Sequence, residues 1–355
     1  MNRIKGFDLL KGICILLIVI CHHVDLMNFL PKWFIQIQGA IYLNAFFVLS
    51  GFMLYRKSEY LLMADIETRF AFVKHKFLSL LYPYFSFSVI TIVFHALLTF
   101  LFRNQYVAEH FQGYRLILRD IISLFSGMGI GTLWFLPVLF LSYIVSYYYI
   151  VLYLPKDKKY VILLFGFSFF LIIVPYFFDL IINDLNQQNP VIHKFVTMVY
   201  RSTNGIAYSL FGLFIGRMWR ALESVDVKKI ILIFVAIIIV GNFGYVQLPF
   251  HILTVSCFSI LCFRYKGSSK KSFINKICDF FCYCGKNSLL IMFYHYNILL
   301  PIEKEFFIDI CGLKGGLLGI ICFCCTLLLT LTLVKMLENQ SWHKFICGKN
   351  LKYKK

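Results

Sequence analysis

Asp8, Lys11, His22 and His23 stand in or beside a run otherwise made of Leu, Ile, Val and Cys, FDLLKGICILLIVICHHVD at 7–25. A neutral imidazole, with a reference pKa of about 6.5, serves either as a general base or as a nucleophile. At about 100° per residue, Lys11 and His22 differ by about 20° in azimuth and about 16 Å in height. Asp8 lies one turn before Lys11 on the same face, while His23 is turned about 100° away, along a neighbouring helix or toward its own carbonyls. An ionisable group deep in a bilayer costs at least about 2.5 kcal/mol unless it is neutral, paired or facing water, so such residues are functional candidates. A lone histidine is more often interhelical hydrogen-bonding glue. The shared face with Asp8 and Lys11 favours chemistry at His22.

These residues need an element that holds them at membrane depth, and the composition supplies it. Of 355 residues, 60% are apolar and only 15% charged, with a mean hydropathy of +0.77. Several apolar stretches approach or exceed the roughly 20 residues that cross a bilayer core as a helix, and no ten-residue alternation suggests a barrel. The expected fold class is all-α: a polytopic transmembrane helical bundle of about ten spans. They fall near 9–29, 38–55, 79–102, 132–154, 160–179, 197–216, 229–246, 247–263, 287–302 and 315–336. Residues 1–355 read as a single integral membrane domain, a bundle over 1–336 followed by a basic tail over 337–355.

A formal charge of +18 would suit nucleic acid in a soluble protein. Most of the 35 basic residues instead collect in alternate loops: before Lys11, then in 56–76, 156–159, 217–229, 264–286 and the tail. That bias puts both termini on the cytoplasmic side and calls for no nucleic acid. Some charge remains for anionic lipid or an anionic cosubstrate. The 12 cysteines form neither a disulfide framework nor a zinc motif, so no metal is expected.

Between the spans, 56–78 mixes charges with Leu, Met and Phe and reads as an amphipathic helix along the membrane surface. Tyr82, Pro83 and Tyr84 read as the start of the next helix. Segment 103–131 carries Arg103, Arg115, Arg119, Glu109, His110 and Asp120 on the outer side, against the charge bias. Ser50 and Gly51 read as helix-packing residues rather than a nucleophile.

Beyond these patterns, the chain resembles the acyltransferase-3 family of integral membrane acyltransferases. The family opens with Asp, then Leu-Arg or Leu-Lys, a small residue and an apolar run ending in His; here these are Asp8, Leu10, Lys11, Gly12 and His22. Lys11 in the Arg position resembles the branch that includes sugar O-acetylases. NAFFVLSGFML at 44–54, RFAFVKHKFLSLLYPY at 69–84, LWFLPVLFLSY at 133–143 and GKNSLLIMFYH at 285–295 resemble four further family segments. Val73 and Lys74 depart from the second of these segments, and Thr132 stands where His or Asn often precedes the third.

The resemblance implies transfer of an acyl group, usually acetyl from acetyl-CoA as cosubstrate, to a hydroxyl of a carbohydrate or lipid-linked sugar at a bacterial inner membrane. His22 is then the base or the acyl acceptor, with Lys11 and Asp8 at the cytoplasmic entrance. Coenzyme A carries several phosphates, for which Lys11, Arg69, Lys74 and Lys76 are the candidates. His23, His295, Asn287 and Trp134 are candidates for the acceptor side. For His295 an interhelical hydrogen bond is an equal expectation, and Trp134 with Pro137 also reads as an interfacial anchor and kink. The competing function is a transporter, flippase or polymerase for lipid-linked sugars, in which Asp8, Lys11 and His22 line a polar pathway without acyl chemistry; the chain shows no repeat halves in its support.

Overall fold

The computed structural model describes residues 4–101, 113–153, 163, 166–174, 190–241, 247–267, 272–304, 306 and 315–347. Among them every regular element is a helix. In chain order these are α1 (Lys5–His22), α2 (Val24–Met27), α3 (Lys32–Ile41), α4 (Asn44–Tyr55), α5 (Ser58–Met63), α6 (Ile66–Leu101) and α7 (Gly113–Phe125). A 3-10 turn (Gly131–Trp134) leads into α8 (Phe135–Tyr153), and residues 166–174 are helical. There follow α9 (Pro190–Arg217), α10 (Trp219–Ser224), α11 (Val227–Gly241), α12 (Gln247–Phe263) and α13 (Phe273–Lys286). Helix α14 (Ser288–Phe293) widens into a π-helical stretch, Tyr294–Leu299, before α15 (Leu300–Lys304), α16 (Gly315–Leu337) and α17 (Ser341–Ile346).

Among the described residues, four stretches are long and apolar enough to cross a membrane: Lys32–Tyr55, Ile66–Leu98, Gly131–Leu152 and Leu318–Leu337. The protein is a multi-pass membrane protein. Half of the expected fifth span, together with Arg103, Glu109 and His110, lies outside the described residues.

Three boundaries differ from the sequence pattern. The first helix ends at His22, because His23 leaves the helical region (φ −95°, ψ 84°). The expected 38–55 span is two helices with a turn at Tyr42 and Leu43. Residues 66–78 are not a separate surface helix, since α6 runs on through Pro83. A proline inside a helix removes one backbone hydrogen bond, and neighbouring groups make such a loss tolerable in membrane helices.

The chain divides into two compact units. The first comprises 1–18, 30–69 and 141–288. Within it α4 lies directly on α9, where a Cβ on Gly51 would overlap the Ser209 carbonyl. Small residues allow this approach, and polar side chains complete it. The Asn204 amide donates to Asn44 Oδ1 at 3.0 Å, and the Ser146 and Ser209 hydroxyls meet at 2.8 Å.

The second unit comprises 19–29, 70–140 and 289–355. Its core includes Phe87 stacked on Phe293, with centroids 4.2 Å apart. The buried Tyr84 hydroxyl donates to the Leu124 carbonyl at 2.7 Å, so Tyr84 serves as an interior strut rather than the start of a helix. His95 and Asp120 form a second buried tie at 2.7 Å.

Candidate active site

The first functional pair lies in the first unit. Asp8 is 3% exposed, and its Oδ1 sits 3.1 Å from Lys11 Nζ, one turn along α1. Glycines hold this part of α1 against α13. A Cβ on Gly12 would overlap the Phe281 carbonyl, and one on Gly285 would overlap the Asp8 carbonyl. A carboxylate this buried needs a cation or several donors to remain charged.

The second pair lies in the second unit, where the C-terminal end of α1 meets the π-helical stretch. His22 Nδ1 is 2.9 Å from His295 Nε2. His295 is fully buried, and its Nδ1 lies 2.6 Å from the Ile291 carbonyl. The tautomers follow from the acceptor. A carbonyl only accepts, so His295 Nδ1 carries the proton; in the neutral ring its Nε2 then accepts from His22 Nδ1–H. The basic nitrogen of His22 is thereby Nε2. A proton arriving there would be shared with a ring that already accepts from Nδ1–H. The Tyr296 ring, 4.4 Å from the His22 ring centroid to centroid, offers a π face to the same charge.

A buried polar network fixes the π-helical stretch. Asn297 Nδ2 donates to Thr91 Oγ1 at 3.1 Å and to the Ile130 carbonyl at 3.2 Å. The Thr132 hydroxyl reaches the Met292 carbonyl at 3.1 Å and Asn297 Oδ1 at 3.3 Å. Thr132, the departure from the family segment, thus ties the 3-10 turn to the helix bearing His295. π-helical turns occur mostly at functional sites.

The remaining candidates are spread out. His23 is 4% exposed, with its ring edge-on to Phe323 at 5.8 Å. Arg69 donates from Nε and Nη2 to the Leu61 and Leu62 carbonyls, each at 2.9 Å, closing the last turn of α5. Lys74 is exposed and Lys76 half-buried; two positions apart on a helix, they point about 200° apart and address different sides. Asn287 is buried in the first unit, with its amide 3.4 Å from the Tyr283 carbonyl. Trp134 ends the 3-10 turn, half-buried and edge-on to Phe135 at 6.3 Å.

The structure therefore brings His22 to His295, and Lys11 to Asp8. Sequence reasoning missed Tyr296 as a neighbour of the histidine pair, and Asn297 and Thr91 as part of the network that holds the π-helical stretch. Asn297 gave a usable signal, a lone amide in an apolar run; Tyr296 and Thr91 gave none.

A family model described as an acyltransferase domain matches residues 4–335. The chain belongs to the acyltransferase-3 family. No curated protein and no solved structure matches it significantly. As an acyltransferase-3 member it is a membrane acyltransferase, and the matched stretch contains both pairs described above.

Proposed function

We propose that the protein is an O-acyltransferase moving an acetyl group from acetyl-CoA to a hydroxyl of a surface polysaccharide or its lipid-linked precursor. It would act in a bacterial inner membrane, with about ten spans and both termini cytoplasmic, as the charge bias suggests. The observation that carries this reading is the Ile291–His295–His22 hydrogen-bond chain, which leaves Nε2 as the basic nitrogen of His22. In direct transfer, Nε2 takes the acceptor hydroxyl proton as the oxygen attacks the thioester carbonyl. The C–S bond then breaks, and the proton passes to the departing thiolate. In the covalent variant Nε2 itself attacks the thioester carbonyl and the C–S bond breaks to release the thiolate. The acceptor oxygen then attacks the acyl-imidazole carbonyl, the N–C bond to Nε2 breaks, and the hydroxyl proton ends on the thiolate. The sequence spacing of Lys11 and Asp8 toward the cytoplasmic end of the first helix suits the approach of an anionic donor.

The test uses purified full-length protein with labelled acetyl-CoA. His22→Ala should abolish transfer and hydrolysis of the acetyl group while expression and membrane insertion are kept. Full activity in that variant would sink the assignment. Movement of acceptor without acetyl consumption would favour transport instead.

A further inference from the structure

The first unit contains a cavity of about 580 Å³ whose lining comes from four separate chain segments. They are the start of α1, the end of α4, α10, and the residues around the end of α12. These segments belong to four of the basic regions that the charge pattern groups on one membrane side.

One wall is aromatic. Phe52 stacks on Phe263 with centroids 4.4 Å apart and planes 29° apart. Phe7 stands edge-on to Phe263 at 5.3 Å, and Trp219 stands edge-on to Phe52 at 5.0 Å. The rim is cationic. Arg56 is exposed, with its Cζ 5.8 Å from the Phe7 ring centroid, and Lys266 is exposed on the loop after α12. Among the described residues neither has a carboxylate within ion-pair distance. Lys5 is different, since Asp279 lies 3.6 Å from its Nζ. The stem of Lys5 is held by Gly267 (φ +80°), where a Cβ would come within 2.6 Å of Lys5 Cδ. Glu223, also on the rim, is an acceptor for a ring amino group or a ribose hydroxyl.

Stacked rings beside uncompensated cations suit a ligand that joins a flat base to phosphate groups. The volume lies within the roughly 300–1,000 Å³ of small-molecule pockets. A lipid headgroup would use the cations but not the ring wall. We propose that this cavity binds the nucleotide end of the acyl donor, with phosphate on Arg56 and Lys266 and the base against the Phe52–Phe263–Trp219 wall. The proposal rests on acyl-CoA being the donor, and it moves the main phosphate contacts away from Arg69, Lys74 and Lys76.

The probe is adenosine 3′,5′-bisphosphate, titrated into the full-length protein in lipid nanodiscs and read by tryptophan fluorescence. Binding should quench the signal, and Trp219→Phe should remove most of the quench. Inorganic phosphate should bind about ten-fold more weakly or worse, because it lacks the base. The double variant Arg56→Gln/Lys266→Gln should lose about ten-fold or more in nucleotide affinity and raise KM for acetyl-CoA by a similar factor. Photolabelling of the unmodified protein with an azido-adenosine analogue, which does not depend on the variants folding, should mark peptides containing Trp219 or 263–266.

Labelling confined to other segments, unchanged affinity in the double variant, or binding no tighter than phosphate would overturn the proposal. So would loss of the probe to phosphatidylglycerol in the disc, which would identify a lipid site. If the nucleotide binds as expected but no acetyl is transferred, the donor assignment fails while the cavity stands as a nucleotide site. If acetyl transfer persists with an unchanged KM in the double variant, the cavity assignment fails alone.

Discussion

Around His22 the contacts are short hydrogen bonds between neutral groups, two of them in series from Ile291 through His295. Around Arg56 they are ring faces and exposed cations, with no carboxylate in pairing range among the described residues. The first arrangement is complete before any ligand arrives, and its geometry is fixed by what it is buried among. The second is completed by its ligand, and solvent ions compete for its charge. Preorganised dipoles suit bond making, where reorganisation would raise the barrier. Unspent cations suit capture of a soluble anion, where steering and exchange matter more.

The largest expected effect separates His22 from its neighbour. Losing a general base typically costs about 10²–10⁴ in rate, so His22→Ala should lower kcat for acetyl transfer by that order. His23→Ala, which removes a ring packed on Phe323, should cost less than about ten-fold. Equal losses in radiolabel transfer would show that the histidine geometry has no bearing on the chemistry.

Next is His295, a positioning residue for His22. His295→Ala removes the acceptor of His22 Nδ1–H and should lower kcat by about 10–100-fold. A glutamine offers a carbonyl oxygen to His22 and an amide to the Ile291 carbonyl. His295→Gln should therefore recover part of the loss, whereas a packing role alone would leave Gln no better than Ala. Kinetics on the two variants at matched thermal stability decide between these.

How much of this was legible depends on how far apart the partners lie. His22 stood out because Asp8 and Lys11 share its helix, so spacing alone put them on one face. His295 is 273 residues away, and no local rule pairs two residues across that distance. The π-helical stretch hides more, since an ordinary helical wheel assigns wrong faces once the turn widens at Tyr294. Thr132 was visible only as a departure from a motif, and its meaning came from the Met292 carbonyl it reaches. Helix content was plain from hydropathy, but the ends were not. The break at His23 carries neither Gly nor Pro, and Pro83, the strongest local stop signal, sits inside a helix of 36 residues. The cavity went unseen because its rings and cations come from four segments, each of which reads separately as core or as topology signal.

A third effect tests the buried side of the contrast in stability rather than rate. Lys11→Met withdraws a cation from the 3%-exposed Asp8 carboxylate. It should lower stability by about 1–3 kcal/mol, below the full cost of breaking a buried pair because Lys11 is partly solvated. Adding Asp8→Asn should restore part of that loss. Thermal unfolding in detergent that shows the double change as harmful as the sum of the two singles would exclude coupling between them.

The smallest effect lies at the exposed extreme. Asp65 precedes α6, where its Oδ1 accepts from the Thr68 backbone N–H at 2.9 Å, an N-cap contact that satisfies one orphan donor of the first turn. Hydrogen bonds from Thr68 hold the Asp65 carboxyl below its usual value of 3.8. A depressed carboxyl pKa stabilises the fold above the unfolded value, and that contribution disappears as pH falls through the folded value. The stabilisation from Asp65 should therefore be full at neutral pH, begin to fade near the unfolded value of about 4, and be lost as pH falls through the lower folded value. Asp65→Asn, which keeps an acceptor but removes the charge, should flatten this acid dependence and lower the melting temperature at pH 7 by the same small amount that acid takes from the unmodified protein. The Lys11–Asp8 pair should resist added salt far better than Asp65, because a buried pair is screened less than an exposed charge. Melting curves across pH 3–7 at two salt concentrations would place each carboxylate on its side of the contrast, and equal salt sensitivity at the two sites would remove burial as the cause of the difference.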